Sequence, residues 1–68
     1  MKALITTVSR KQFLITAKTL VALDDMGKEK HQLTMISNPV VRPGVPLVFG
    51  NGDGDVETEM IESVVYRG

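Results

Sequence analysis

Phe13-Leu14-Ile15-Thr16-Ala17-Lys18-Thr19-Leu20-Val21-Ala22-Leu23, followed by Asp24-Asp25-Met26-Gly27-Lys28-Glu29, is the stretch on which the fold class turns. As a strand it puts Phe13, Ile15, Ala17, Val21 and Leu23 on one face, with Thr19 the single interruption. As a helix it opens at Ser9 with Gln12 completing a capping box, ends near Gly27, and aligns Phe13, Ala17, Leu20 and Val21. The helix leaves Ile15, Ala22 and Leu23 off its stripe, and Ile15, Thr16, Thr19 and Val21 all lose rotamer freedom in it. The polar run Asp24–Glu29 favours the strand. Gly27 can take a positive φ there, and the run joins Leu20–Leu23 to Leu33–Ile36 as a hairpin loop does.

Working outward, Ala3 to Ser9 alternates loosely and reads as a first strand. After the Asp24–Glu29 turn, Lys30, Gln32 and Thr34 are expected to face water. Asn38-Pro39 ends that strand, because proline lacks a donor and restricts the residue before it. Val40-Val41 is a short extended piece, Pro43-Gly44 a turn, and Val45 to Phe49 a strand in which Pro46 marks an edge or a start. Gly50-Asn51-Gly52-Asp53-Gly54-Asp55 reads as a hairpin tip. In the last run, Val56 to Arg67, the residues Val56, Thr58 and Met60 alternate, and Ile61, Ser63 and Val65 continue on the other parity. One inserted residue near Met60, a β-bulge, reconciles the halves. A helix over Glu57–Tyr66 competes, since Val56, Met60 and Val64 also fit a helical stripe. Nine Val, four Ile and six Thr favour strands throughout. The expected fold is all-β: residues 1–68 as one small antiparallel, partly closed β-barrel, SH3-like or OB-like, of about five strands, with one short helix as the competing element.

At 68 residues the chain holds one domain and lies near the lower limit for an independent core. It has no cysteine, which removes disulfides, thiolate zinc sites, iron–sulfur ligation and thiol nucleophiles, and accords with a reducing compartment. The segment Met1–Arg10 is too weakly apolar for a signal-peptide core, and no window approaches a membrane span of roughly 18 apolar residues. A cytoplasmic protein is expected. Eight basic residues balance eight acidic ones, so net charge indicates no gross partner. The charge is nevertheless uneven: residues 1–31 carry six basic against three acidic residues, and residues 32–68 carry two against five.

The motifs favour bland readings. The glycines of the tip recur every second residue without phosphate-loop spacing, and Asp53 and Asp55 repel a phosphate. Asn51, Asp53, Asp55 and Glu62 fit loop positions of a calcium hand, but Val56 stands where the sharp turn needs glycine. His31 is the single histidine and lies beside a polar turn; none of Ser9, Ser37 and Ser63 sits in a nucleophile-elbow setting. Phe13, Phe49 and Tyr66 each lie in an apolar run and read as core rather than as a stacking platform. The length is similar to that of cold-shock, Sm-like and translation-type SH3-like barrels. No stretch carries their diagnostic residues, so the likeness is architectural.

The expected function is therefore a non-catalytic protein–protein interaction module (an accessory, inhibitory or assembly factor) without cofactor or metal. Its expected contact surface draws on Asp53, Asp55, Glu57, Glu59, Met60 and Val65. The alternative is a small RNA- or single-stranded-DNA-binding barrel using Arg10, Lys11 and Lys18. Outward valines in the pairs Val40-Val41 and Val64-Val65, beside poorly covered strand edges, point to a homodimer.

Overall fold

A chain rich in β-branched residues and broken by glycine and proline turns has one economical way to satisfy its backbone: a meander of hairpins. The computed structural model, which describes residues 2–16, 19–36 and 41–67, has that form. Six strands follow in chain order: β1 (Lys2–Thr7), β2 (Gln12–Thr16), β3 (Leu20–Leu23), β4 (Glu29–Met35), β5 (Pro46–Gly50) and β6 (Val56–Arg67). Each pairs antiparallel with the next, and β6 returns to β1 to close the barrel. No helix occurs among the described residues, so none is long and apolar enough to cross a membrane. The expected all-β barrel stands, with six strands instead of about five.

The extra strand comes from the deciding stretch. Phe13–Leu23 is a hairpin, not one strand. The Thr16 amide donates to the Thr19 carbonyl at 2.9 Å, and their hydroxyls meet at 2.6 Å. Reversal changes the inward parity, so Phe13 and Ile15 point in from β2, and Leu20 with Ala22 from β3. Leu20 is 0 % exposed, whereas Val21 and Leu23, expected in the core, are half-buried. Ala17, expected on the inner strand face, lies outside the described residues, as do Asn38, Pro39 and Val40.

Glycine and proline chemistry works where it was expected. Gly27 (φ 78°) turns β3 into β4, and Asp24 Oδ1 accepts the Met26 and Lys28 amides. Pro43 and Gly44 (φ 87°) form a turn closed from Val45 N–H to the Arg42 carbonyl, the backbone of a type II turn. Pro46 is the first residue of β5, where its missing donor costs no ladder bond.

The bulge expected near Met60 lies two residues on. Thr6 opposes Ser63 and Thr7 opposes Ile61, which leaves Glu62 as the extra residue. Ile61 is buried as expected, but on either side of it the parity is the reverse of the expected one: Glu57 and Glu59 turn inward before it and Val64 after it, while Val56, Met60 and Val65 are exposed. The core comprises Ala3, Ile5, Phe13, Ile15, Leu20, Leu33, Leu47, Phe49 and Ile61, with Ala22, Met35, Val41 and Val64 packed against it. Barrel diameter grows with strand number, and side chains just fill the interior at about eight strands, so a six-stranded barrel is narrower still. Tyr66, expected in the core, is 60 % exposed and donates its hydroxyl to the Val41 carbonyl at 3.1 Å.

The hairpin assignment makes a direct stability test. Leu20→Ala should cost about 2–5 kcal/mol in denaturant unfolding, a large share of what so small a domain has. Val21→Ala should cost less than about 1 kcal/mol. Equal costs would mean that Val21, not Leu20, is the core residue of β3.

Candidate functional site

Three hairpin loops gather at one end of the barrel: Val8–Lys11, Asp24–Lys28 and Asn51–Asp55. Together they frame a mouth. Below it opens a cavity of about 440 Å³, floored by Phe13, Ala22, Leu33 and Phe49. The two phenylalanine rings lie 5.1 Å apart, tilted by 54°, an aromatic contact worth about 0.5–1.5 kcal/mol beyond burial. They are 36 positions apart in the chain, and the sheet register brings them together. Around them stand Arg10, Lys11, Asp24, Asp25, Lys30, His31, Asn51 and Glu57.

One wall of the mouth is a polar network. The inward parity of β6 aims Glu57 and Glu59 at the β1–β2 turn. Glu59, with a side chain 15 % exposed, accepts a 2.6 Å hydrogen bond from Ser9 Oγ and lies 3.2 Å from Lys11 Nζ. Lys11 reaches Glu57 at 3.9 Å, and Asn51 Nδ2 donates to Glu57 at 3.0 Å. Beneath them Thr7, 0 % exposed, exchanges hydrogen bonds with Ser9 and with the backbone of Lys11. The Ser9 hydroxyl, helped by Lys11 and opposed by desolvation, holds the Glu59 carboxyl below its ordinary pKa. No buried side-chain polar atom lacks a partner among the described residues.

The turn that presents these groups carries Arg10 at φ 71°, a left-handed conformation that favours glycine or asparagine. Its guanidinium donates to Glu62 at 2.8 Å, so the bulge residue of β6 holds the turn residue of the β1–β2 loop.

The residues expected to form one protein-contact surface are dispersed. Asp53 and Asp55 are exposed at the β5–β6 tip. Glu57 and Glu59 face the mouth, Met60 lies outside opposite Pro46, and Val65 lies outside opposite Leu4. Of the alternative nucleic-acid contacts, Arg10 and Lys11 come together but are ion-paired to acids; Lys18 lies outside the described residues. The calcium-hand register does not assemble either. Asn51 Oδ1 receives the Asp53 amide, and Glu62 is bonded to Arg10. Among the described residues no group of three His, Asp or Glu is placed to hold a metal. His31, exposed as expected, lines the cavity across the sheet from Ala22. Phe13 and Phe49 are buried as expected, but their pairing beneath the mouth and the inward glutamates were missed. The signal was present in the Glu57, Glu59, Ile61 alternation, provided the bulge is placed after Ile61.

Because the folded-state pKa of Glu59 is lowered, its contribution to stability is present above the unfolded value. It is lost as pH falls from roughly 4.3 through the folded value. Acid titration of stability should therefore be less steep in that window for Glu59→Gln than for the native chain. Ser9→Ala should reproduce part of this flattening. Parallel pH profiles in all three proteins would show that the Ser9–Glu59 bond is not formed in solution.

No family model matches the chain, and neither a curated protein nor a solved structure matches it.

Proposed function

We propose that the chain is a non-catalytic protein-interaction module that pairs with a second copy of itself through the outside of the barrel. One observation carries this reading. Val65, Leu4, Leu14 and Val21 stand directly opposite one another across β6, β1, β2 and β3. Strand parity turns all four away from the core, so the outer wall carries an unbroken apolar row where a solvated face ordinarily alternates to polar residues. Val65 is 53 % exposed, and the other three are half-buried.

Charge complementarity supports a second copy as the occupant. Two residues along the strands on one side of the row, Lys2 opposes Arg67. On the other side Thr6 opposes Ser63, beside exposed Glu62. A two-fold axis along the row exchanges these sides and sets Lys2 and Arg67 of one copy against Glu62 of the next, whose carboxylate is then shared with its own Arg10. The route by edge pairing expected from the sequence has no edge at β1 or β6, because those strands pair with each other. The cysteine-free composition accords with a reducing, cytoplasmic setting.

The nucleic-acid alternative finds less support. Phe13 and Phe49 are buried beneath the mouth instead of forming an exposed platform, and the adjacent cations Arg10 and Lys11 are spent on Glu62, Glu59 and Glu57.

Sedimentation at on the order of 50 µM, well above a micromolar Kd of about −8 kcal/mol, should give a dimer. Val65→Lys should shift it to monomer while leaving the far-ultraviolet circular dichroism unchanged. A monomer at that concentration refutes self-pairing. Labelled RNA and single-stranded DNA should keep their mobility with micromolar protein at low salt, where phosphate contacts are strongest. A salt-sensitive shift abolished by Arg10→Ala with Lys11→Ala would favour the nucleic-acid reading.

A further inference from the structure

The barrel is closed, but one seam is closed only part of the way. Among the described residues each of the other neighbouring strand pairs has four to six residue partners; β4 and β5 have two, Thr34 with Gly50 and Met35 with Phe49. Beyond Gly50 the chain leaves the sheet. Asn51 N–H closes on the Asp55 carbonyl at 3.1 Å, Asn51 Oδ1 takes the Asp53 amide, and Gly52 and Gly54 bend the tip through positive φ. Among the described residues, no strand pairs with the 29–33 part of β4 on that side.

The direction of its free backbone follows from parity. Successive amides on an antiparallel strand aim to opposite sides. The Ile36 amide donates to the Val48 carbonyl on β5, so the even-numbered residues of this stretch aim the same way, Thr34 and Gln32 included. Thr34 finds Gly50 there, whereas Gln32 has no partner on β5 or β6. An exposed strand edge is a template for another strand. Here it borders the 440 Å³ cavity, whose lining includes His31 and Leu33 on the β4 side and Phe49 and Asn51 opposite.

Charge narrows the occupant. Of the charged side chains lining the cavity, Arg10 is bonded to Glu62, Lys11 to Glu57 and Glu59, and Asp24 to two backbone amides. Among the described residues this leaves Lys30 and His31 on β4, and Asp25 in the neighbouring turn, without a bonded partner. On the β4 wall of the cavity the unpaired charge is the Lys30 ammonium, with Asp25 in the neighbouring turn.

We propose that this seam binds an extended peptide as an added strand along β4, its bulky apolar side chain seated on Phe13 and Phe49 and a carboxylate two residues away meeting Lys30. Residues two apart in a strand share a face, so one peptide edge supplies both contacts while its backbone pairs with Gln32. None of these contacts involves the Leu4–Val65 row, so the seam and the self-pairing face stand or fall separately.

The test is titration of the ¹⁵N-labelled full chain with the acetylated, amidated peptide Thr-Val-Thr-Phe-Thr-Glu-Thr. Amide shifts are expected at His31, Gln32 and Asn51, with hydrogen exchange at Gln32 slowed by at least about tenfold at saturation. N-methylation of the peptide nitrogens along the pairing edge should weaken binding by about tenfold or more with the side chains untouched. Lys30→Glu, a change on an exposed position, should disfavour this peptide and favour its Glu-to-Lys version. No shifts at millimolar peptide, or shifts centred on Leu4 and Val65, would overturn the proposal. So would equal binding by the N-methylated peptide, or an identical response to N-acetylphenylalaninamide alone, since a cavity for one side chain needs no strand edge.

Discussion

One strand that pairs with two partners holds this barrel together. The first half of β6, Val56–Met60, lies along β5, and the second half, Ile61–Arg67, lies along β1. A straight strand cannot serve both. Glu62, the unpaired bulge residue, provides the bend, since a bulge both kinks its strand and increases local twist. The same insertion keeps the apolar positions inside: Ile61 points inward before it and Val64 after it. Without the bulge, strict alternation from Ile61 would turn Ser63 inward and Val64 toward water, because a shift of one position reverses every later side chain.

Closure leaves the two rims chemically different. At the hairpin rim, inward parity on β6 forces Glu57 and Glu59 toward the interior, where unpaired carboxylates are costly. The β1–β2 turn offsets this with the Ser9 hydroxyl, the Lys11 ammonium and the buried Thr7 hydroxyl. Arg10 accepts a left-handed backbone, a strain of roughly 1–2 kcal/mol, in a turn whose neighbours complete that network. Its own side chain reaches back to Glu62. The turn and the bulge that closes the barrel are thus tied by one ion pair. At surface exposure such a pair contributes at most about 1 kcal/mol, so its main effect is to orient the loop.

The same rim holds both a saturated and an unsaturated wall. Where β1, β2 and β6 meet, donors and acceptors are matched and the backbone is paired. Across the mouth, the early end of the β5–β6 tip leaves β4 with open amides beside an aromatic floor. The mouth therefore combines a wall whose polar groups are bonded to one another, Ser9 to Glu59 among them, with an opposite wall that carries His31 and an open backbone edge. The apolar row on the outer wall is a separate feature, set by the other parity of β1, β2, β3 and β6.

Much of the fold was legible in the chain because its signals are local. β-branched composition, the glycine turn at Gly27, the Pro43-Gly44 turn and the proline at the head of β5 act through backbone preferences that need no partner. They specify an all-β meander and most strand positions. The Thr16–Thr19 reversal was not legible, since Ala17-Lys18 carries no glycine, asparagine or aspartate to announce it. That one turn added a strand and exchanged Leu20 for Val21 in the core. The inward face of β6 was not legible either. Val56, Met60 and Val65 are more apolar than Glu57 and Glu59, and only Lys11, Ser9 and Asn51, brought in from other hairpins, make inward glutamates tolerable. Tyr66 has the inward parity of Val64, opposite Ala3, yet is exposed near the end of β6 with its hydroxyl on the Val41 carbonyl. Residue chemistry by itself determined the strand class, the turns and the absence of thiol chemistry. Register, a property of pairs distant in sequence, decided which side chains meet at the mouth, which form the outer row, and where β4 is left open.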